Sequence, residues 1–152
     1  MGYRNTGGGL YDFEGVSCVK YRYFGKTGER VSVLGYGCMR FPQTDGKIDR
    51  TESTKMLYSA IDAGVNYLDT AYVYQDGDSE AFLGEALKNG MREKVFIADK
   101  CPPWCVKSEE DFDKILNTSL ERLGTDYIDF YLLHALNREG WETVKPFNLM
   151  EK

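Results

Sequence analysis

Asp69, Tyr74, Lys100 and His134 each stand at or just beyond the end of an apolar run: Asp69 and Tyr74 after residues 65–68, Lys100 after 95–98, His134 after 127–133. Singly, each suits an ordinary role: a turn cap, a cover for apolar surface, a solvated strand end, a half-buried histidine. Together they compose a proton donor. A phenol, with a reference pKa of about 10, is a poor acid at neutral pH. An ammonium beside it favours the phenolate, and a carboxylate beside the ammonium keeps that charge fixed. A neutral imidazole can donate a hydrogen bond to a carbonyl oxygen and orient it. Such a set protonates an oxygen as charge develops on it, which is what hydride reduction of an aldehyde or ketone requires.

For four such groups to meet, the chain must bring four segment ends to one edge. From Val19 it has the order to do so. VKYRYFG and ERVSVLGYG are two β-prone runs joined by Lys26-Thr27-Gly28, a hairpin signal. The segment near Val33 then reads as a first strand ending at Gly37-Cys38-Met39-Arg40, followed by ten loop-like residues to Asp49. Asp49 caps a helix with Glu52 three residues on and an apolar face of Met56, Leu57, Ala60 and Ile61. A second helix starting at Asp78 or Ser79 carries Phe82, Leu83, Ala86 and Leu87. Ser108 caps a third, with Phe112, Ile115, Leu116, Leu120 and Leu123 on one stripe, and a last helix begins near Trp141.

Continuous apolar strands alternating with amphipathic helices imply a parallel sheet covered by helices. Two architectures have that order: an open doubly wound sheet and part of a (β/α)8 barrel. A doubly wound nucleotide binder calls for a Gly-rich turn running directly into a helix, and GYGCMRFP does not do so. The barrel is favoured, and since a barrel takes about 250 residues, the chain holds half of one.

Composition narrows the function classes. The 152 residues carry a net charge of −5 with scattered Lys and Arg, so no basic stripe marks a nucleic-acid surface. No apolar run reaches the roughly 18 residues of a membrane span, and no signal peptide opens the chain, so a cytoplasmic setting is expected. Cys18, Cys38, Cys101 and Cys105 read as free thiols. CPPWC has neither redox nor zinc-knuckle spacing, and with a single histidine no metal site is expected in this segment.

Residues 19–152 resemble the N-terminal half of an aldo-keto reductase. LDTAYVY matches the family's Asp-Thr-Ala-x-x-Tyr signature, DKCP its strand-three lysine segment and DYIDFYLLH its strand-four histidine segment. GKTGERVSVLGYGCMR is similar to its opening hairpin, which plugs the barrel floor, and its first strand. The resemblance implies α/β architecture, four βα units of a (β/α)8 barrel preceded by a β-hairpin, and NAD(P)H-dependent reduction of aldehyde or ketone carbonyls. Tyr74 would be the general acid, Lys100 and Asp69 would lower its pKa, and His134 would orient the carbonyl. Gly37, Cys38, Met39 and Asp69 would lie near the nicotinamide; Arg40, Tyr72 and Trp104 would lie near the substrate. NADP rather than NAD is implied by the family alone, because its 2′-phosphate pocket lies in the other half of the barrel.

IDFYLLHALNREGWE and KCPPWCVKSEEDFDK resemble a bacterial and archaeal branch whose full chains often end in an iron–sulfur ferredoxin-like segment. A cluster is implied only for a longer chain. An isolated half-barrel is expected to self-associate through its open edges and to be inactive alone. The competing reading is a non-catalytic relative, a relic or an interaction subunit like the family's potassium-channel partners. Val19-Lys20-Tyr21-Arg22 stands where such chains begin Met-Lys-Tyr-Arg, so residues 1–18 are expected to be a leader or the product of a mis-assigned start.

Overall fold

The computed structural model describes residues 19–149; the expected leader lies outside the described residues. Two short strands open the fold, β1 (Tyr21–Tyr23) and β2 (Arg30–Ser32), paired antiparallel with Tyr21 opposite Ser32. Then come β3 (Tyr36–Gly37), the ribbon β4 (Gln43–Thr44) and β5 (Lys47–Ile48), and helix α1 (Arg50–Asp62). The remainder alternates: β6 (Tyr67–Asp69), α2 (Asp78–Ala86), β7 (Phe96–Cys101), α3 (Glu109–Leu123), β8 (Phe130–Leu133) and α4 (Arg138–Val144). The main sheet is parallel, in the order β3-β6-β7-β8, with Gly37 beside Asp69, Asp69 beside Ala98 and Ala98 beside Phe130.

Strand alternation sorts the side chains. Leu68 and Ile97 face α1 and α2 in one core cluster with Leu57, Phe82 and Leu83. Cys101, Tyr131 and Leu133 face α3 and α4 in a second, with Phe112, Ile115 and Val144. The opposite face is the concave one. At its lower end the hairpin tip lays Phe24 against Phe130, with ring centroids 4.4 Å apart, and the rings of Tyr67 and Phe96 also approach Phe130. Aromatic packing of this kind floors the sheet, as the hairpin resemblance implies. Gly84 lets α2 and α3 close up, since a Cβ there would run into the backbone of Arg122 and Leu123.

Several elements differ from the sequence reading. The first parallel strand is Tyr36–Gly37, not the segment near Val33; Val33 and Leu34 are 62% and 63% exposed. Asn66 explains the shift. Its Oδ1 accepts the Ser32 amide at 2.7 Å while the Ser32 hydroxyl accepts the Asn66 amide and donates to the Leu34 carbonyl, turning the chain before it joins the sheet. The loop-like decapeptide contains β4 and β5, joined through Asp45 and Gly46 at φ 53° and 77°, the positive-φ pair of a tight hairpin turn.

Met56 is exposed rather than on the packed face of α1. The Tyr58 hydroxyl, donating to the Ala86 carbonyl at 2.7 Å, rotates Ser53 and Leu57 inward instead. Strand β8 begins at Phe130, because Asp129 turns back to accept the Ile97 amide and an Arg92 guanidinium N–H. The last helix starts at Arg138, where Asn137 Oδ1 caps the Gly140 amide.

Candidate active site at the strand ends

The upper ends of β6, β7 and β8 carry the four residues singled out in the sequence. Beyond Asp69 the chain stays tied to β7: the Thr70 amide donates to Ala98 O and the Tyr72 amide to Lys100 O. Gln75 and Asp76 then take positive φ (50° and 57°) ahead of Gly77 (86°), which throws the chain into α2 and leaves Tyr74 over the strand ends. Gln75 anchors the turn through its amide to Phe41 O.

Lys100 sits at the centre. Its Nζ lies 2.6 Å from Asp69 Oδ1, 2.6 Å from Thr70 O and 3.3 Å from Tyr74 Oη. The ammonium thus has a counter-ion, a fixed carbonyl and the phenol as neighbours, and charge-assisted bonds of this length define its position. His134 is tied in through its amide to Cys101 O, and its ring stands edge-on to Tyr74, centroids 5.5 Å apart at 83°. Burial, together with the Lys100 ammonium, holds the His134 imidazole below its ordinary pKa, so the ring is neutral at neutral pH. Trp104, 57% exposed in the turn after β7, tilts over the same imidazole at 5.6 Å.

The other expected residues divide. Gly37 pairs with Asp69, and a Cβ there would meet nothing within 4 Å, so open space adjoins the carboxylate. Met39 and Arg40 are exposed on the following turn. Cys38 is fully buried: its thiol packs with Phe41, Ile48 and Leu57 and lies beside the Asp69 backbone, its carbonyl accepts from Ser79, and burial, then the Asp69 carboxylate, pushes the thiol pKa up. Tyr72 turns away from Tyr74, packing in the second core with its ring under the Arg122 guanidinium at 4.5 Å.

A set of residues behind the rim went unnoticed in the sequence. Glu80 and Asp99 are fully buried, and Arg122 joins Glu80 Oε2 at 2.7 Å and the Tyr72 carbonyl at 3.1 Å through one nitrogen. The available signal was Asp99 itself, a carboxylate inside the apolar run VFIADK, where alternation with Lys100 sends it to the helix side. Among the described residues no group of three or more His, Cys, Asp or Glu is placed to hold a metal ion, and no helix is long and apolar enough to cross a membrane.

Comparison with known proteins adds a family. The sequence model of the Aldo/keto reductase family matches residues 33–143. The NADH-specific methylglyoxal reductase of Escherichia coli is 32% identical over 143 residues, covering 81% of this chain and 42% of its own length. A rice protein described as "Probable voltage-gated potassium channel subunit beta" is 32% identical over 140 residues, 86% of this chain and 42% of its own. An aldo-keto reductase from Klebsiella pneumoniae, solved in complex with NADPH, superposes with a TM-score of 0.63 at 30% identity, covering 78% of this chain and 43% of that one. The chain therefore spans less than half the length of these relatives.

Proposed function

The chain belongs to the aldo/keto reductase family, its four parallel strands forming half of a (β/α)8 barrel, and from that premise we propose that it carries the acid–base half of a carbonyl reductase site. The observation behind the proposal is Lys100 Nζ bridging Asp69 and Tyr74, with a neutral His134 edge-on to the same phenol. A carbonyl oxygen placed between Tyr74 Oη and the His134 ring accepts a hydrogen bond from each. As negative charge builds on that oxygen, Tyr74 transfers its proton to it. Lys100, held by Asp69 and Thr70, stabilises the phenolate left behind. His134, being neutral, orients the oxygen without competing for the proton.

The residues present fit the nicotinamide end of a dinucleotide: open space at Gly37 beside Asp69, next to the proton donor. NADPH bound in that space would supply the hydride. Met39 would flank it through exposed atoms, whereas buried Cys38 would act only through the backbone it fixes. Arg40 and Trp104 would border the substrate, while Tyr72 would support the turn from behind. Small aldehydes and ketones are the substrate class, methylglyoxal being the first to test given the relatives, and the cytoplasm is the proposed setting. Titrating NADPH into the chain and following nicotinamide fluorescence tests the cofactor site; a saturable change is expected, and none would move the chain to the second reading. That reading, an interaction subunit without turnover, rests on the likeness to the channel protein.

Self-association is part of the proposal. Strands β3 and β8 are both sheet edges, and β8 presents FYLL with neither Pro nor Lys to blunt pairing. An apolar groove of about 630 Å³ runs beside it, lined by Phe112, Leu116, Leu120, Leu133 and Leu149. A second copy is the proposed occupant, so light scattering on the 152-residue chain should give at least twice its 17.3 kDa. A sharp monomer with cooperative melting would sink the idea.

A further inference from the structure

Asp99 and Lys100 are successive residues on β7 with opposite surroundings. Lys100 serves the concave rim, while Asp99 points into the layer between sheet and helices, fully buried. Its Oδ1 accepts the Lys100 backbone amide at 2.8 Å. Glu80, equally buried on α2, gives its Oε2 to Arg122 at 2.7 Å. Among the described residues the remaining oxygens, Asp99 Oδ2 and Glu80 Oε1, are buried with no donor at hydrogen-bond geometry, yet Asp99 lies within reach of the Glu80 carboxyl as well as of the Ser119 hydroxyl.

Two ionised carboxylates side by side in a dry layer, with one guanidinium between them and the surface, leave a negative charge uncompensated. Burying such a charge without a counter-ion is strongly unfavourable. Among the described residues the surroundings offer no second cation. Asp99 is faced by the Ser119 hydroxyl from α3, the Tyr131 phenol from β8 and the Cys101 thiol from its own strand, while the Lys100 ammonium is committed on the other face of the sheet. One proton resolves both deficits: Asp99 Oδ2–H donates to Glu80 Oε1, and the single remaining carboxylate charge faces Arg122.

We propose that Glu80 and Asp99 share one proton and, with Arg122, act as positioning residues that hold Lys100 and the Tyr72–Tyr74 turn in place from behind the rim. The linkage is continuous in the structure. Arg122 Nη1 binds both Glu80 Oε2 and the Tyr72 carbonyl, and Asp99 binds the Lys100 amide, so the strand carrying the ammonium and the turn carrying the phenol close on the same pair. Gly77 keeps the path open, because a Cβ there would fall on the Arg122 guanidinium. Burial first, then repulsion from Glu80, pushes the Asp99 carboxyl up to about 8, so the proton stays through neutral pH. The bearing on catalysis rests on the roles proposed above for Lys100 and Tyr74; the shared proton does not.

Infrared difference spectra of the intact chain, taken below and above pH 8, test the proton directly. The protonated-carboxyl C=O band should be present at neutral pH, vanish above the transition, and be absent from Asp99→Asn, whose amide can still donate to Glu80 and preserve the fold. No such band in the wild type, or its survival in Asp99→Asn, overturns the shared proton. Positioning is read from the Tyr74 ¹³Cζ resonance. Across the same pH step the wild type should show a shift that Asp99→Asn lacks; identical responses in the two proteins would overturn the positioning role. Neither readout uses turnover, so an inactive site and a failed proton pair are distinguishable.

Discussion

The two faces of β7 solve the same problem in opposite ways. On the concave face, Lys100 and Asp69 meet at 2.6 Å with side chains 14% and 39% exposed, so the pair is anchored yet open to a ligand. On the helix face, Arg122 and Glu80 meet at 2.7 Å with Glu80 fully sealed, so the buried carboxylate must be satisfied from within while the guanidinium, 29% exposed, reaches the surface. Asp99 and Lys100, successive on β7, mark the division between the two faces. The open pair keeps hydrogen-bonding capacity for a substrate, whereas the sealed set can only support structure and hold its neighbours. Polar residues at a strand end therefore divide into those left within reach of a ligand and those enclosed between sheet and helices, according to the side on which alternation leaves them.

The largest test falls on the open side. In a polypeptide of full barrel length, Tyr74→Phe should lower carbonyl reduction by about 100- to 10,000-fold while leaving nicotinamide binding nearly unchanged. Retention of most of the rate would take the acid role from Tyr74. Tyr72, two residues earlier, is a poor replacement, because its ring is stacked under Arg122 on the sealed side.

On the sealed side the effect is on stability. Arg122→Met keeps the stem but strips the counter-ion from buried Glu80, and urea unfolding should register a loss of about 3 kcal/mol. Arg50→Met is the control. Arg50 grips Asp78 at 2.6 Å and holds its carboxyl below the usual range, but at side-chain exposures of 36% and 30% the ion pair is worth about 1 kcal/mol or less. Equal losses from the two variants would erase the distinction between sealed and open charges.

The sequence exposed the open side far better than the sealed one. Asp69, Tyr74, Lys100 and His134 each follow an apolar run, so strand ends were enough to gather them. Caps were equally plain: Asp49 and Ser108 bind the Glu52 and Asp111 amides as their spacing requires. What stayed hidden depends on pairing between distant segments. The Glu80–Asp99–Arg122 set spans α2, β7 and α3, and nothing local in DSE, ADK or LERL announces that they meet. For Cys38 and Tyr72 the motif position says where the backbone lies but not that the thiol is buried or that the phenol ring packs under Arg122. Val33 looked like strand because its neighbours are β-prone, and only the Ser32–Asn66 bonds show why the chain leaves that path.

The sharpest test of the contrast lies in the pH dependence of stability. His134, on the open side, has its pKa lowered in the folded chain, mainly by burial and next by Lys100. Above about pH 6.5 it is neutral folded and unfolded alike; as pH falls through that value the unfolded chain binds a proton the folded chain refuses, so stability declines. Asp99, on the sealed side, works in reverse. Its folded carboxyl keeps a proton up to about 8, whereas the unfolded one loses it near 3.9, so its contribution improves as pH falls from 8 towards 4. Thermal melting of wild type, His134→Gln and Asp99→Asn across that range separates the two. His134→Gln should lose the acid-side decline and Asp99→Asn the acid-side gain, and because His134 is the only histidine in the chain, no other imidazole can stand in for it. Parallel curves from all three proteins would show that the two faces of β7 do not differ in how they hold their protons.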